Sequence, residues 1–275
     1  MPTVRANDIN VYYEQQGSGE PLILIPYLAA DQACYAFQVG DYAKHFTCIS
    51  VDLRGAGQSD KPDGHYSTTL FADDVAAFMH AIGVESAHVM GVSLGAAVGM
   101  QLAAKHPEKV RTLSLHSAWP KSDPFLIGVV ESWRTMARSL ESIPETIIQG
   151  IFLYCYTPEL YASKPEYIKS LADFVNSRPV QPVDAFMRAS TAVIEHDALA
   201  ALGRITAPTQ ITFGRFDTVT STRFADPLRK GIKHSEVHVF EDCAHAAIYE
   251  NVKDFNEVTL AFLQKHPSRQ KTSVS

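Results

Sequence analysis

The chain has 275 residues, 46% hydrophobic and 20% charged, with a formal charge of -6. This composition suits a globular protein with a large core and excludes the basic stripe that a nucleic-acid partner demands. No run of about 18 apolar residues occurs, so no membrane span is expected, and the alternating N-terminal MPTVRANDINVYYEQQ lacks a signal-peptide centre, which points to a cytoplasmic protein.

In chain order, NVYYEQQ (10–16) reads as a strand ending at Gly17-Ser18-Gly19-Glu20, a hairpin-like turn. PLILIPY (21–27), HFTCISVDL (45–53) and AHVMGV (87–92) are apolar almost throughout. Such runs suit strands covered on both faces, hence a parallel sheet with crossover helices. Apolar residues at three- and four-residue spacing predict a helix over 69–82, stopped by Gly83, and a second helix over 94–106, stopped by Pro107. VRTLSLHS (110–117) is the next strand. From Trp119 to His196 the alternation breaks into helical, aromatic-rich sequence punctuated by prolines. It resumes with PTQITFGRFD (208–217), a helix near 221–231, SEVHVFEDCAH (235–245) and a helix over 252–265. The tail SRQKTSVS is expected to fray. The pattern predicts a doubly wound, mostly parallel α/β sheet, with residues 1–118 and 197–275 as the core and 119–196 as a helical lid inserted after the sixth strand. Cys34, Cys48, Cys155 and Cys243 match no zinc spacing and no disulfide framework, and they read as reduced, mostly buried thiols.

Gly91-Val92-Ser93-Leu94-Gly95 stands between a predicted strand and a predicted helix. A turn that sharp forces its apex into strained backbone angles and leaves no room for side chains two positions away, hence the glycines. It lifts the Ser93 hydroxyl above the carboxyl edge of the sheet, beside the unpaired N–H groups of the helix start. The competing reading of Ser93 is a helix N-cap. A serine nucleophile needs a base, and the base needs an orienting acid. Asp217 ends the apolar strand at Gly214-Arg215-Phe216-Asp217, and His245 follows the next strand. Asp123, just past an earlier strand, is the reserve acid. His88, His106 and His266 read as solvent-exposed and His116 as a packing residue.

With these loops in the order Ser, Asp, His, the chain resembles the α/β-hydrolase superfamily over roughly residues 1–266. Asp52-Leu53-Arg54-Gly55-Ala56-Gly57-Gln58-Ser59 is similar to that family's D-x-R-G-x-G-x-S loop, and Ala207-Pro208-Thr209 and Ala244-His245 followed by Glu250 are also family-like. The nearest branch is that of small esterases, enol-lactone hydrolases and carbon–carbon bond hydrolases. Ser93 sets the chain apart from haloalkane dehalogenases and epoxide hydrolases, which carry aspartate at the elbow. The resemblance implies Ser93, His245 and Asp217 as catalytic residues, the N–H groups of Leu28 and Leu94 as oxyanion donors, and no cofactor or metal. One departure stands out. Where the family has His-Gly-x, this chain has Pro26-Tyr27-Leu28. Pro26 and Tyr27 either remodel the pocket wall or bring the Tyr27 hydroxyl to the substrate.

The expected activity is hydrolysis of a carboxylic ester or lactone through an acyl-enzyme. The same residues would serve carbon–carbon cleavage of a vinylogous diketone, and a weakly catalytic, receptor-like binding protein is the third reading. The lid aromatics suggest a small apolar or aromatic substrate, with Trp119 and Trp133 expected to face the cleft. The sequence leaves a homodimer open.

Overall fold

The computed structural model describes residues 2–267; the tail expected to fray, 268–275, lies outside them. Eight strands form one sheet: β1 (Thr3–Ala6), β2 (Ile9–Gln16), β3 (Glu20–Ile25), β4 (Phe46–Val51), β5 (Ala87–Val92), β6 (Val110–His116), β7 (Thr209–Gly214) and β8 (Ser235–Phe240), in the order β1-β2-β4-β3-β5-β6-β7-β8. β1 and β2 are antiparallel, β2 runs antiparallel to β4, and every neighbouring pair from β4 to β8 is parallel.

The expected doubly wound sheet is present, and β3 shows why its sequence is continuously apolar. Ile23 and Ile25 join one apolar cluster, with Phe71 and Met79 of the helix Thr68–Ala81 and Val98 and Leu102 of the helix Leu94–Lys105. Leu22 and Leu24 join the other, with Tyr42 of the helix Ala36–Tyr42 and Phe255 and Phe262 of the helix Val252–Gln264. Successive side chains alternate between faces, and here both faces are covered, so all four are fully buried. Each contributes about 1.5–3 kcal/mol of apolar burial.

Two local expectations are corrected, and one helix was not foreseen. The turn after β2 closes no hairpin, because β4 lies between β2 and β3. The glycines link strands that run antiparallel but are not neighbours. His88 is not exposed: it is fully buried in β5, with Nδ1 2.8 Å from Thr112 Oγ1 and Nε2 2.9 Å from Glu20. Its place in a run covered on both faces buries it despite its polarity. The helix Ala36–Tyr42 is too short and mixed to announce itself by periodicity.

Between β6 and β7 the chain is helical, with helices at Pro124–Leu140, Pro158–Ser163, Pro165–Ser177 and Val183–Ile194 and a π-helical turn at Ile147–Ile151. The prolines start helices here rather than only separating them. Pro124, Pro158 and Pro165 each stand in the first turn, where the missing N–H has no helical partner to lose. Asp123 and Thr157 cap two of these helices. Because β3 to β8 point the same way, the loops after β3, β5, β6, β7 and β8 gather at one edge of the sheet.

Candidate active site

Ser93 follows β5 directly, with φ 52° and ψ -116°. That backbone is strained for a residue with a side chain, and close packing holds it. A Cβ on Gly91 would collide with the backbone of Gly95 and Ala96, and one on Gly95 with the carbonyls of Ile25 and Pro26. The Ser93 N–H donates to His116 O at 2.9 Å, pinning the elbow to β6. The Ser93 side chain caps no helix N–H, which disposes of the capping alternative.

The Gly95 contact also sets the Pro26-Tyr27-Leu28 segment against the start of the helix Leu94–Lys105. Neither the Leu28 nor the Leu94 N–H meets an acceptor among the described residues. Both groups are available to an oxyanion.

Asp217 and His245 meet as the sequence order implied. Asp217 Oδ2 lies 2.9 Å from His245 Nδ1 and accepts from Thr220 Oγ1 at 2.8 Å, while Oδ1 accepts from the N–H groups of Val219 and Thr220 at 2.8 and 3.0 Å. Burial pushes the carboxyl up, but the imidazole and the Thr220 bonds outweigh it, and the net shift is downward. An ionised Asp217 only accepts, so His245 carries its proton on Nδ1 and presents Nε2 as a base. Gly214 permits the approach of the two loops, because a Cβ there would strike the carbonyls of Cys243 and Ala244. Asp123, the reserve acid, is elsewhere, paired with Arg223 at 2.8 Å.

Ser93 and His245 line one cavity, with Leu28, Tyr27 and Trp133. Trp119 is the exception among the expected substrate contacts. It is fully buried outside the cavity lining, its indole N–H donating to Ser122 Oγ at 2.9 Å, because the chain after β6 turns inward before the first helix of the insertion. Of the insertion's aromatics, Trp133, Phe152, Tyr156 and Phe174 face the cavity, whereas Phe186 packs in the core and Phe125 is exposed beside Arg223. His116 packs as expected, with Nδ1 2.8 Å from Thr212 Oγ1 and its ring on Phe255.

Ser117, Arg178 and Gln181 carried no signal in the sequence, whereas Glu250 and the D-x-R-G-x-G-x-S loop were marked there without a structural role. Ser117 donates to His245 O at 2.8 Å. Glu250 accepts from the Ala244 N–H with one oxygen and from the Thr157 N–H and hydroxyl, at 2.6 and 2.8 Å, with the other. It ties the histidine loop to the helical segment. Arg178 reaches from that segment to Asp31 at 2.8 Å, and Gln181 Nε2 donates to Gly55 O at 2.7 Å. Within the D-x-R-G-x-G-x-S loop, Asp52 accepts from the Gln32 and Gln58 N–H groups, both at 2.7 Å, and Arg54 is clasped by Asp74 at 2.8 and 2.7 Å. That motif braces the neighbouring loops rather than supplying reacting groups.

This architecture is matched by a family model for the alpha/beta hydrolase fold over residues 16–252. The chain belongs to that family, and it is a hydrolase. RutD of Azorhizobium caulinodans, named by inference a carbamate hydrolase, is 28% identical over 268 residues, spanning 95% of this chain and 98% of its own. The 2-hydroxy-6-oxo-6-phenylhexa-2,4-dienoate hydrolase of Comamonas testosteroni is 25% identical, with 94% and 93% covered. The solved structure of Est816, an N-acyl homoserine lactone degrading enzyme, superposes with a TM-score of 0.80 at 26% identity, covering 95% of this chain and all of its own. No helix among the described residues is long and apolar enough to cross a membrane.

Proposed function

We propose that the chain is a serine hydrolase acting on a carboxylic ester or lactone of a small apolar or aromatic substrate. The observation that carries this reading is the bond from Asp217 to His245 Nδ1, with His245 and the strained Ser93 sharing one cavity. His245 Nε2 takes the Ser93 proton as the hydroxyl attacks the carbonyl carbon. The Leu28 and Leu94 N–H groups hold the resulting oxyanion. His245 then protonates the leaving alkoxide, and water repeats the sequence on the acyl-enzyme to release the acid. General-base assistance is worth about two to four powers of ten and each oxyanion donor about two to three.

Residues 119–196 serve as the lid over a core formed by 1–118 and 197–275, and Trp133, Phe152, Tyr156 and Phe174 supply its apolar contacts to the substrate. The lactone-degrading neighbour supports an ester-type carbonyl, and the Comamonas relative keeps carbon–carbon cleavage as the second reading on the same residues. A fluorophosphonate probe distinguishes a reactive Ser93 directly. Labelling that disappears in Ser93→Ala, together with turnover of short p-nitrophenyl esters, is the expected result. A folded protein that does not label overturns the mechanism.

A further inference from the structure

The tyrosines at the cavity wall fix a direction of hydrogen bonding. Tyr249 Oη lies 2.7 Å from Cys34 O and 2.9 Å from Tyr27 Oη. A carbonyl oxygen only accepts, so the one proton of Tyr249 is committed to Cys34 O. The proton between the two tyrosines therefore belongs to Tyr27. Burial drives both phenols' pKa values upward, so no ordinary pH strips either proton and reverses the chain. Both residues line the cavity. Toward a bound molecule, Tyr27 has lone pairs to offer and no hydrogen.

Two polar groups of the same lining, Asp31 and Gln181, also turn acceptor atoms to their surroundings, while Arg178, Trp133 and Tyr156 bring hydrogens. The Asp31 carboxylate accepts, and it holds the Arg178 Nε and Nη2 donors at 2.8 Å. Gln181 spends an amide hydrogen on Gly55 O, which can only accept, and its Oε1 is buried without a partner among the described residues. The Tyr156 hydroxyl has no hydrogen-bond partner among the described residues and serves either role. Trp133 Nε1, also of a lining residue, is a buried donor with no partner among the described residues.

We propose that this site selects substrates bearing a hydrogen-bond donor, a hydroxyl or N–H, where the substrate meets Tyr27, and discriminates against an ether or carbonyl oxygen at that place. The inference rests on the Ser93 hydrolase reading and adds the polarity of the substrate. A donor completes the chain substrate, Tyr27, Tyr249, Cys34 O. An acceptor there faces lone pairs, or forces Tyr27 to abandon Tyr249, and either outcome strands a desolvated polar group.

The test is a matched series of esters carrying hydroxyl, methoxy or methyl at successive carbons of the acyl chain, and of the alcohol half, followed by acid release. At one position the hydroxyl ester is expected to exceed its methoxy counterpart by about tenfold in kcat/KM. Tyr27→Phe should bring that ratio to about one. Tyr249→Phe removes the acceptor of the Tyr27 proton and frees it for the substrate, so the preference should fall or reverse. Circular dichroism checks that both variants are folded, and Tyr27→Phe keeps the Tyr249 bond to Cys34 O. No position with a preference, or a preference that survives in Tyr27→Phe, overturns the proposal. Fluorophosphonate labelling of Ser93 in the same samples separates the two ideas: labelling without preference sinks this inference alone, and absence of labelling sinks the hydrolase mechanism.

Discussion

The floor and the roof of the cavity are built on opposite principles. The floor is made of loops at the sheet edge, where Ser93, Asp217 and His245 stand on buried, hydrogen-bonded backbone with glycines at the points of closest approach. The roof is made of short helices that present mostly apolar side chains to the cavity and is tied to the floor by polar contacts that include Arg178 to Asp31, Gln181 to Gly55, Thr157 to Glu250 and Tyr167 to Tyr249 O. On the proposed mechanism the floor must place its reacting groups within fractions of an ångström. The roof carries shape, which tolerates more variation, while Tyr27 and Tyr249 at the edge of the floor carry polarity. Substitutions in the floor should therefore act on kcat, and those in the roof on KM.

The sharpest way to break this contrast is Ser93→Ala, which should cut kcat by at least about 10⁴-fold with little change in KM, read in steady-state kinetics. Asp217→Asn leaves the shape but removes the charge that selects the Nδ1–H tautomer, and it should cost about 10³- to 10⁴-fold in kcat. Glu250→Ala tests whether the histidine loop depends on the brace. Loss of the Ala244 and Thr157 bonds should lower kcat about 10- to 100-fold by displacing His245, and a KM effect alone would assign Glu250 to the roof. Phe174→Ala removes an apolar roof contact and should raise KM about three- to tenfold, with kcat nearly unchanged.

The last effect concerns stability. His116 in the floor and His196 at the end of the roof are buried and neutral, with pKa values lowered by burial to about 3 and about 4. Both folded values lie below the unfolded one of 6.5, so the unfolded chain binds more protons between those limits. Stability from these groups is complete above about pH 6.5 and is lost as pH falls, by at most about 1.4 kcal/mol per unit for each histidine. Thermal melts between pH 7.5 and 5 should show a falling Tm that His196→Gln makes shallower; a flat profile in the parent protein contradicts the account.

The floor was largely legible in the sequence, because its requirements are local. An apolar run followed by Gly91-Val92-Ser93-Leu94-Gly95 specifies a strand, a tight turn and a helix, and Asp217 and His245 each stand just past a strand. What escaped is what depends on contacts distant in sequence. Tyr27 and Tyr249 are 222 residues apart, and nothing in either segment announces their bond. The burial of His88 depends on Thr112 and Glu20 across neighbouring strands. The inward turn of Trp119 depends on Ser122 and on His196, whose ring it meets edge to face. Strand adjacency also eluded a linear reading, since the chain between β3 and β4 crosses a face of the sheet and returns between β2 and β3.

The single carboxylate of Glu250 gives the molecule a shared point of failure. Because one oxygen holds the Ala244 N–H beside His245 and the other steadies the first turn of the helix Pro158–Ser163, heat that frays that turn should also loosen the imidazole. Inactivation on warming would then begin before the sheet melts, and hydrogen exchange at the Thr157 and Ala244 amides would accelerate together, in step with the decline in turnover.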